Sequence, residues 1–493
     1  VSFPYLTSIL LLPVIGAIVI ALLPNRQAKG IKYTSLIFTL AAFAVSLLVF
    51  IAFDRSSGAV GHIQFEEKVS WIPAINSFYH LGIDGISLPM MILMTFLGVL
   101  SVLASWKIEL RAKEYFIWLL VLETSILGVF CSLDLILFFL FWELELIPMY
   151  FLISIWGSGR KEYSSIKYVI YTLIGSAFML AGFLMLYFSS GSLDIMELNR
   201  SLNPMIHVGA LFFLLFIGFA IKLPMVPFHT WLPDAHTDAP TAVSIILAGA
   251  LLKMGGYGMI RLCVSILPDA ARQYALILII LAVIGVLYGA AVTLRQTDLK
   301  RLIAYSSISH MGYVLLGVFA LTQISLVGAV LQMFSHGIIT GLLFAMVGLV
   351  YDRTHDRNLK NLGGLARKMP VITVVFSIAG LASLGLPGTS GFIAEFTTFV
   401  GSFSSTVING MQIYTILGVF GIVLTAGYIL YMLQKVFYGP PQDKFNGLTD
   451  ANLVDKICIF SFTGAILLVG LYPAFITGII EMGVVPVMKL IGL

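Results

Sequence analysis

The chain has 493 residues, 59% of them hydrophobic and only 11% charged, with a formal net charge of +4. Too few polar side chains remain to cover a water-soluble globule of this size. That excludes a soluble domain and points to an all-α, polytopic membrane protein, since helices satisfy their own backbone groups in lipid.

About fourteen apolar segments, each long enough to cross roughly 30 Å of hydrocarbon, follow one another with short polar loops between. They fall near 4–23, 33–53, 85–106, 114–132, 134–155, 166–190, 208–231, 241–266, 274–293, 302–321, 326–350, 371–405, 412–434 and 457–482. The first is read as a permanent helix, because no basic stretch precedes it and no small-residue cleavage site follows. No organelle transit sequence is visible, so a bacterial-type plasma membrane is expected.

Lys and Arg fix the orientation. Loops after segments 1, 3, 5, 9, 11 and 13 hold twenty basic residues, from Arg26 and Lys29 to Lys444 and Lys456. The other side has six: Arg55, Lys68, Arg200, Arg261, Arg272 and Lys489. Both termini are thus expected outside. A positive balance spread so thinly over the loops forms no nucleic-acid patch. Cys131, Cys263 and Cys458 are scattered, with no Cys-x-x-Cys pair for a metal or cluster.

Charges within the spans carry the functional information, because each costs several kcal/mol unless paired or wetted. At about 1.5 Å rise per residue, Glu143, Lys222, Lys253, His310 and His336 lie roughly 12 to 21 Å into segments 5, 7, 8, 10 and 11. Titratable groups at one depth on successive helices suggest a lateral proton wire more than a substrate pocket. Glu145 faces roughly away from Glu143 on the same helix, and Glu123 in segment 4 is a further candidate partner or entrance.

Pro224 and Pro227 follow Lys222 directly and remove helical hydrogen bonds, which is tolerated at that depth only beside protein or a wet cavity. Segment 7 is therefore read as discontinuous. Segment 12 repeats the device in "LGLPGTSGFIAEF", with Glu395 after the break. Two broken helices five segments apart suggest two inverted five-helix repeats around a midplane site. The boundaries read are 1–110 for an N-terminal three-helix region, 111–268 and 269–440 for the repeats, and 441–493 for a C-terminal helix.

Four stretches carry a family resemblance: "LFFLFWELELIPMYFLISIWG", "IKLPMVPFHTWLPDAHTDAPTAVSIILAGALLKMGGYG", "QTDLKRLIAYSSISHMGYVLLG" and "LPGTSGFIAEF". From about 80 to 440 the chain resembles the antiporter-like membrane subunits of proton-pumping NADH-quinone oxidoreductase, respiratory complex I, of the chain M or mitochondrial chain 4 type. The resemblance implies a subunit without a redox cofactor of its own, working beside membrane subunits of the chain L and N type. It implies that Glu143 is the segment 5 glutamate, Lys222 the broken-helix lysine and Lys253 the central lysine. His310 and His336 become connecting histidines, and Glu395 the terminal acid. Mrp-type cation/proton antiporter subunits are similar through the core but usually carry lysine where Glu395 stands. Glu145 is a second acid where many relatives have a neutral residue.

The mechanism expected is a switchable ion pair between Glu143 and Lys222. When the carboxylate swings away, the buried ammonium releases its proton inward to Lys253, and His310, His336 and water pass it to Glu395. Moving one charge against about 150 mV costs roughly 3.5 kcal/mol, which burial can supply.

Overall fold

The computed structural model describes residues 3–24, 28–198 and 207–492. Arg26 and Arg200, which enter the charge comparison between the two faces, lie outside the described residues.

The chain begins with α1 (Tyr5–Leu22), α2 (Ala28–Ala52), strands β1 (Gln64–Ile72) and β2 (Ser77–Ile83), and α3 (Ser87–Ala104). Next come α4 (Ala112–Cys131), α5 (Leu135–Leu144), α6 (Leu146–Trp156), α7 (Lys161–Ser190), α8 (Ile195–Leu198), α9 (Val208–Lys222), α10 (Trp231–Asp238), α11 (Thr241–Ile246) and α12 (Leu252–Gly258). The remainder is α13 (Pro268–Thr293), α14 (Leu299–Phe319), α15 (Gln323–Thr354), α16 (Pro370–Ser383), α17 (Ser390–Phe403), α18 (Met411–Val436), α19 (Leu453–Leu471) and α20 (Ala474–Ile491).

Among the described residues, thirteen helical stretches are long and apolar enough to span a membrane. The α11–α12 stretch, α14 and α15 are mostly apolar and buried almost throughout, as inner helices of a bundle are. By contrast α1, α2, α7 and α18 turn Leu, Ile and Phe side chains outward, the surface that lipid or a neighbouring apolar subunit covers.

Both predicted interruptions are present. Helix α9 stops at Lys222, and Pro224 and Pro227 lie in the non-helical stretch before α10. The Ile221 carbonyl freed by the break accepts the Trp231 indole N–H at 2.9 Å, so the gap is satisfied internally. Between α16 and α17, Gly385 and Gly388 take positive φ, +78° and +89°, a region open to glycine without a Cβ clash. The inner stretch carries a third device. Leu247–Leu251 and Met259–Val264 are π-helical turns flanking α12, and such widened turns free backbone carbonyls inside a span.

Two features differ from the sequence reading. The loop after segment 2 forms an antiparallel hairpin, β1 with β2, tied across its own strands by His80–Glu66 (2.9 Å) and to the connection after α7 by Lys68–Asp194 (2.6 Å) and His80–Asp194 (2.9 Å). The read segment 457–482 is two helices. Helix α19 ends at Leu471, and α20 begins beyond Pro473. Gly483 of α20 abuts Gly85, Gln323 donates to Glu481 at 2.9 Å, Pro486 meets Gly61, and the Ile491 carbonyl accepts Arg272. Those partners stand at the ends of α3, α13, α15 and the hairpin on one face, so α20 lies across that face and does not cross the bundle. Its buried residues Ile476, Ile479, Ile480, Gly483, Val484, Val487 and Met488 follow the stripe of a surface helix. The start of α1 shares this face, since the Leu6 N–H bonds Glu67 of β1 at 2.8 Å.

Candidate functional site

The first cluster forms where α5, α7 and α9 meet. Pro148 has no N–H to give, and the helix resets at Glu145, between α5 and α6. The reset turns Glu145 into the bundle, where it is fully buried. Its carboxylate takes the Lys222 ammonium on Oε1 and the Tyr168 hydroxyl on Oε2. Lys222 also reaches the Tyr168 oxygen at 3.2 Å and lies 5.4 Å from the Trp142 ring centre, an aromatic face that further offsets desolvation.

The sequence reading paired Lys222 with Glu143; the structure pairs it with Glu145. Glu143 is half-buried, Ser176 lies beside it, and its buried Oε1 has no partner among the described residues. Two carboxyls two residues apart point in nearly opposite directions, so only one can take the lysine. The Pro148 reset gives that place to Glu145. Glu143 still acts on Lys222 through its charge, as a second acid at longer range.

The second cluster is a row across α12, α15, α14 and α17. Lys253 Nζ is 2.7 Å from His336 Nδ1 and also bonds the Ala248 carbonyl in the π-helical turn. The rings of His336 and His310 stand 5.6 Å apart between centroids. His310 Nδ1 then meets Glu395 Oε1 at 3.2 Å, and its Nε2 meets the Ser383 hydroxyl at 3.3 Å. A cavity of about 10 Å³ bounded by Ser306, Gln332, Thr340, Ser383 and the two histidines has room for about one water. The order is thus Lys253, His336, His310, Glu395, with the histidines exchanged relative to the sequence reading. All five interior residues among the predicted site groups other than Glu143 are nearly inaccessible, at 0 to 4% exposure.

The chemistry of each link follows from its donors. An amine and an imidazole at 2.7 Å share one proton, which either nitrogen can hold. A histidine between serine and carboxylate can accept a proton at one face and release it at the other. Glu395 sits in the second turn of α17, one turn beyond the break between α16 and α17.

The two clusters are separated. Among the described residues no hydrogen bond joins Lys222 to Lys253. The space between is filled by apolar side chains packed on glycines: a Cβ added at Gly256 would meet the Met333, Val314 and Leu223 side chains, and one at Gly258 the Phe219 ring. Glu123 is isolated too, buried against Gly98 with Oε1 unpartnered. No group of three His, Cys, Asp or Glu side chains is placed for a metal among the described residues. Tyr168, Ser176 and Ser383, which complete the clusters, carry no signal in the sequence, because hydroxyls are common in packed membrane helices.

The NADH:quinone oxidoreductase/Mrp antiporter transmembrane family matches residues 132–425. NAD(P)H-quinone oxidoreductase chain 4 1 of Synechococcus elongatus is 41% identical over 97% of this chain and 90% of that protein. The chloroplastic chain 4 of Mesostigma viride is 40% identical over 98% and 96%. Among solved structures, a chain of respiratory complex I from Thermus thermophilus with bound NADH superposes with a TM-score of 0.89 at 28% identity, covering 99% of this chain and 100% of that one. A chain of an archaeal membrane-bound sulfane sulfur reductase shares the fold, with a TM-score of 0.84 at 23% identity over 94% and 76%. Matched by this family over more than half its length and by chain 4 relatives along nearly all of it, the chain belongs to the NADH:quinone oxidoreductase/Mrp antiporter family, as a complex I antiporter-like subunit of the chain 4 type.

Proposed function

We propose that this subunit moves protons through two titratable stations joined intermittently. In the first, Glu145 and Tyr168 hold the Lys222 proton, and Glu143 is the second carboxyl whose approach and withdrawal change the charge around it. In the second, Lys253 receives the proton and His336, His310 and Glu395 carry it outward in that order. The observation that carries this reading is the row from Lys253 to Glu395, four buried titratable groups on four helices, with the two histidine rings 5.6 Å apart in its middle. Purely structural burial of so many ionisable groups would be costly.

The proposal extends to the setting. The two repeats, 111–268 and 269–440, enter from opposite faces and are related as inverted copies, with Lys222 before one break and Glu395 after the other. The face richer in Lys and Arg is cytoplasmic and both termini are outside, in a bacterial-type plasma membrane. The partners are membrane subunits of the chain L and N type, and the redox groups belong to other chains. An acid at Glu395 favours this assignment over an Mrp-type exchanger.

Lys222→Ala and Lys253→Ala test it in the assembled complex. Each is expected to leave the complex assembled on native gels while lowering NADH-driven proton translocation in inverted membrane vesicles. Undiminished translocation by both variants would refute the roles assigned.

A further inference from the structure

Arg261 belongs to neither cluster, yet it lies on the stretch that carries Lys253, in the π-helical turn Met259–Val264 after α12. Tyr257 and Arg261 follow Lys253 by four and eight residues, an interval that puts the three on about one face, with roughly 12 Å of rise from first to last. Lys253 and Tyr257 are inaccessible, at 0% and 1% exposure, and the Arg261 side chain nearly so, at 11%.

The partners of Arg261 show which way this line runs. Its guanidinium meets Asp84 at 2.5 Å, and Asp84 heads α3, accepting the Ile86 and Ser87 N–H groups at 2.9 and 3.0 Å. The next residue, Gly85, is pressed against the Ile479 carbonyl of α20, and α20 also touches the turn that holds Arg261. From the interior to the face on which α20 lies, the order is therefore Lys253, Tyr257, Arg261, Asp84.

The chemistry of this line opposes proton passage. A guanidinium keeps its charge at any working pH, and it has five N–H donors but no lone pair to accept a proton. A fixed arginine charge of this kind excludes protons from narrow pores. Tyr257 adds a second break. Its oxygen accepts from Arg261 Nε at 3.2 Å, and its own proton goes to the Phe130 carbonyl at 3.1 Å, a backbone group that passes it no further. The Asp84 charge is drawn to the N-terminus of α3, which leaves the guanidinium on the Lys253 side. Tethering α3 to α12 does not by itself account for the charges, because apolar side chains of similar volume hold buried elements together as well as an ion pair or better.

We propose that Arg261 is an electrostatic seal that stops protons from returning along α12 from the face under α20 to Lys253. The inference rests on Lys253 being a proton carrier, as proposed above. With this direct path closed, the histidine row to Glu395 is the route left for outward transfer.

The test uses the purified complex in liposomes, without NADH. A pH step is imposed across the membrane, and proton flux per complex is read with a pH dye trapped inside. Arg261→Gln is expected to raise this flux by about tenfold or more, and adding Lys253→Ala is expected to return it to the parental level. Parental flux in Arg261→Gln overturns the seal; a raised flux that persists without Lys253 overturns the path along α12. Asp84→Asn, which keeps the guanidinium, is expected to show parental flux, and a leak equal to that of Arg261→Gln would make packing the barrier and overturn the proposal. If Arg261→Gln fails to assemble, Asp84→Asn with Arg261→Gln decides, since two amides of similar shape leave no unpaired buried charge: a leak is expected, and parental flux overturns the seal. NADH-driven translocation by Lys253→Ala alone is measured beside these, and undiminished translocation there overturns the underlying reading of Lys253 instead.

Discussion

Replacing Glu145 by Gln separates the two candidate partners of Lys222. The pair is buried, with 1% exposure at Lys222 and 0% at Glu145, so removing one charge leaves the other without water or counter-ion, at a cost of about 3–5 kcal/mol. Lys222 can escape that cost by losing its proton, but stripping a lysine of ordinary basicity at pH 7 itself costs roughly 4–5 kcal/mol. Neither route is cheaper, and the aromatic faces of Trp142 and Tyr168 already act in the parent. Glu145→Gln is therefore expected to be about 3–5 kcal/mol less stable. Glu143 is half-buried and forms no hydrogen bond or ion pair with Lys222 among the described residues, so Glu143→Gln is expected to change stability by less than about 1 kcal/mol. Heating the purified complex and following release of this subunit on native gels reads the difference, and proton translocation in vesicles is expected to fall in both variants. If Glu143→Gln releases the subunit at the lower temperature, the ion-pair assignment drawn from the geometry is wrong.

Within the second cluster, His310→Gln and Glu395→Gln each break the same row, so the double variant is expected to translocate no fewer protons than the worse single one. Additive losses would place the two residues on separate routes. On the terminal face, burial works against ionisation of Asp194, but the His80 and Lys68 side chains outweigh it and hold the carboxyl at about 2. A folded value below the ordinary carboxylate range contributes stability that is complete above about 4 and lost as the pH falls through about 2. Hydrogen exchange in β1 and β2 should accordingly stay slow at pH 4 to 5, and Asp194→Asn should speed it at neutral pH. Gly483→Leu is expected to lift α20, because even a Cβ there would meet the Ile86 nitrogen at 2.6 Å; overpacking of this kind costs about 1–3 kcal/mol. Faster protease cleavage near Tyr472 with little change in proton translocation would show it.

Much of this molecule is legible in its sequence because lipid imposes simple constraints. Helix lengths follow bilayer thickness, and the prolines after Lys222 mark a break that packing has to repair, as Trp231 does. What escapes is set by tertiary position. Ile476, Ile479, Ile480 and Gly483 carry a surface-helix period, but mean apolarity hides it within a stretch that also reads as a span. The hairpin over 64–83 alternates weakly and is held by residues far away in the chain, Asp194 and Asp134. Glu143 and Glu145 are equally deep, so depth cannot choose between them; the choice comes from a proline three residues after Glu145. His310 and His336 are likewise level, and their lateral order depends on which helix lies nearer α12.

The apolar wall between Lys222 and Lys253 fits a pump better than an unbroken wire would. A continuous chain of hydrogen-bonded groups conducts in both directions, and about 150 mV would return each proton with roughly 3.5 kcal/mol of driving force. Closing the middle with Phe219, Leu223 and Met333 against glycines means that connection requires the broken end of α9 to move or water to enter. Lys222 is the last residue of α9, one step before the interruption, and Lys253 is flanked by π-helical turns. Both lysines therefore sit where the backbone is least constrained by regular hydrogen bonding. Rigid helices hold the outward row from His336 to Glu395, and deformable backbone holds the two groups that must meet. In the proposed reading, the charge state of the Glu145–Lys222 pair then decides when the wall opens, because a buried ammonium without its carboxylate draws water into the apolar stretch between the two lysines.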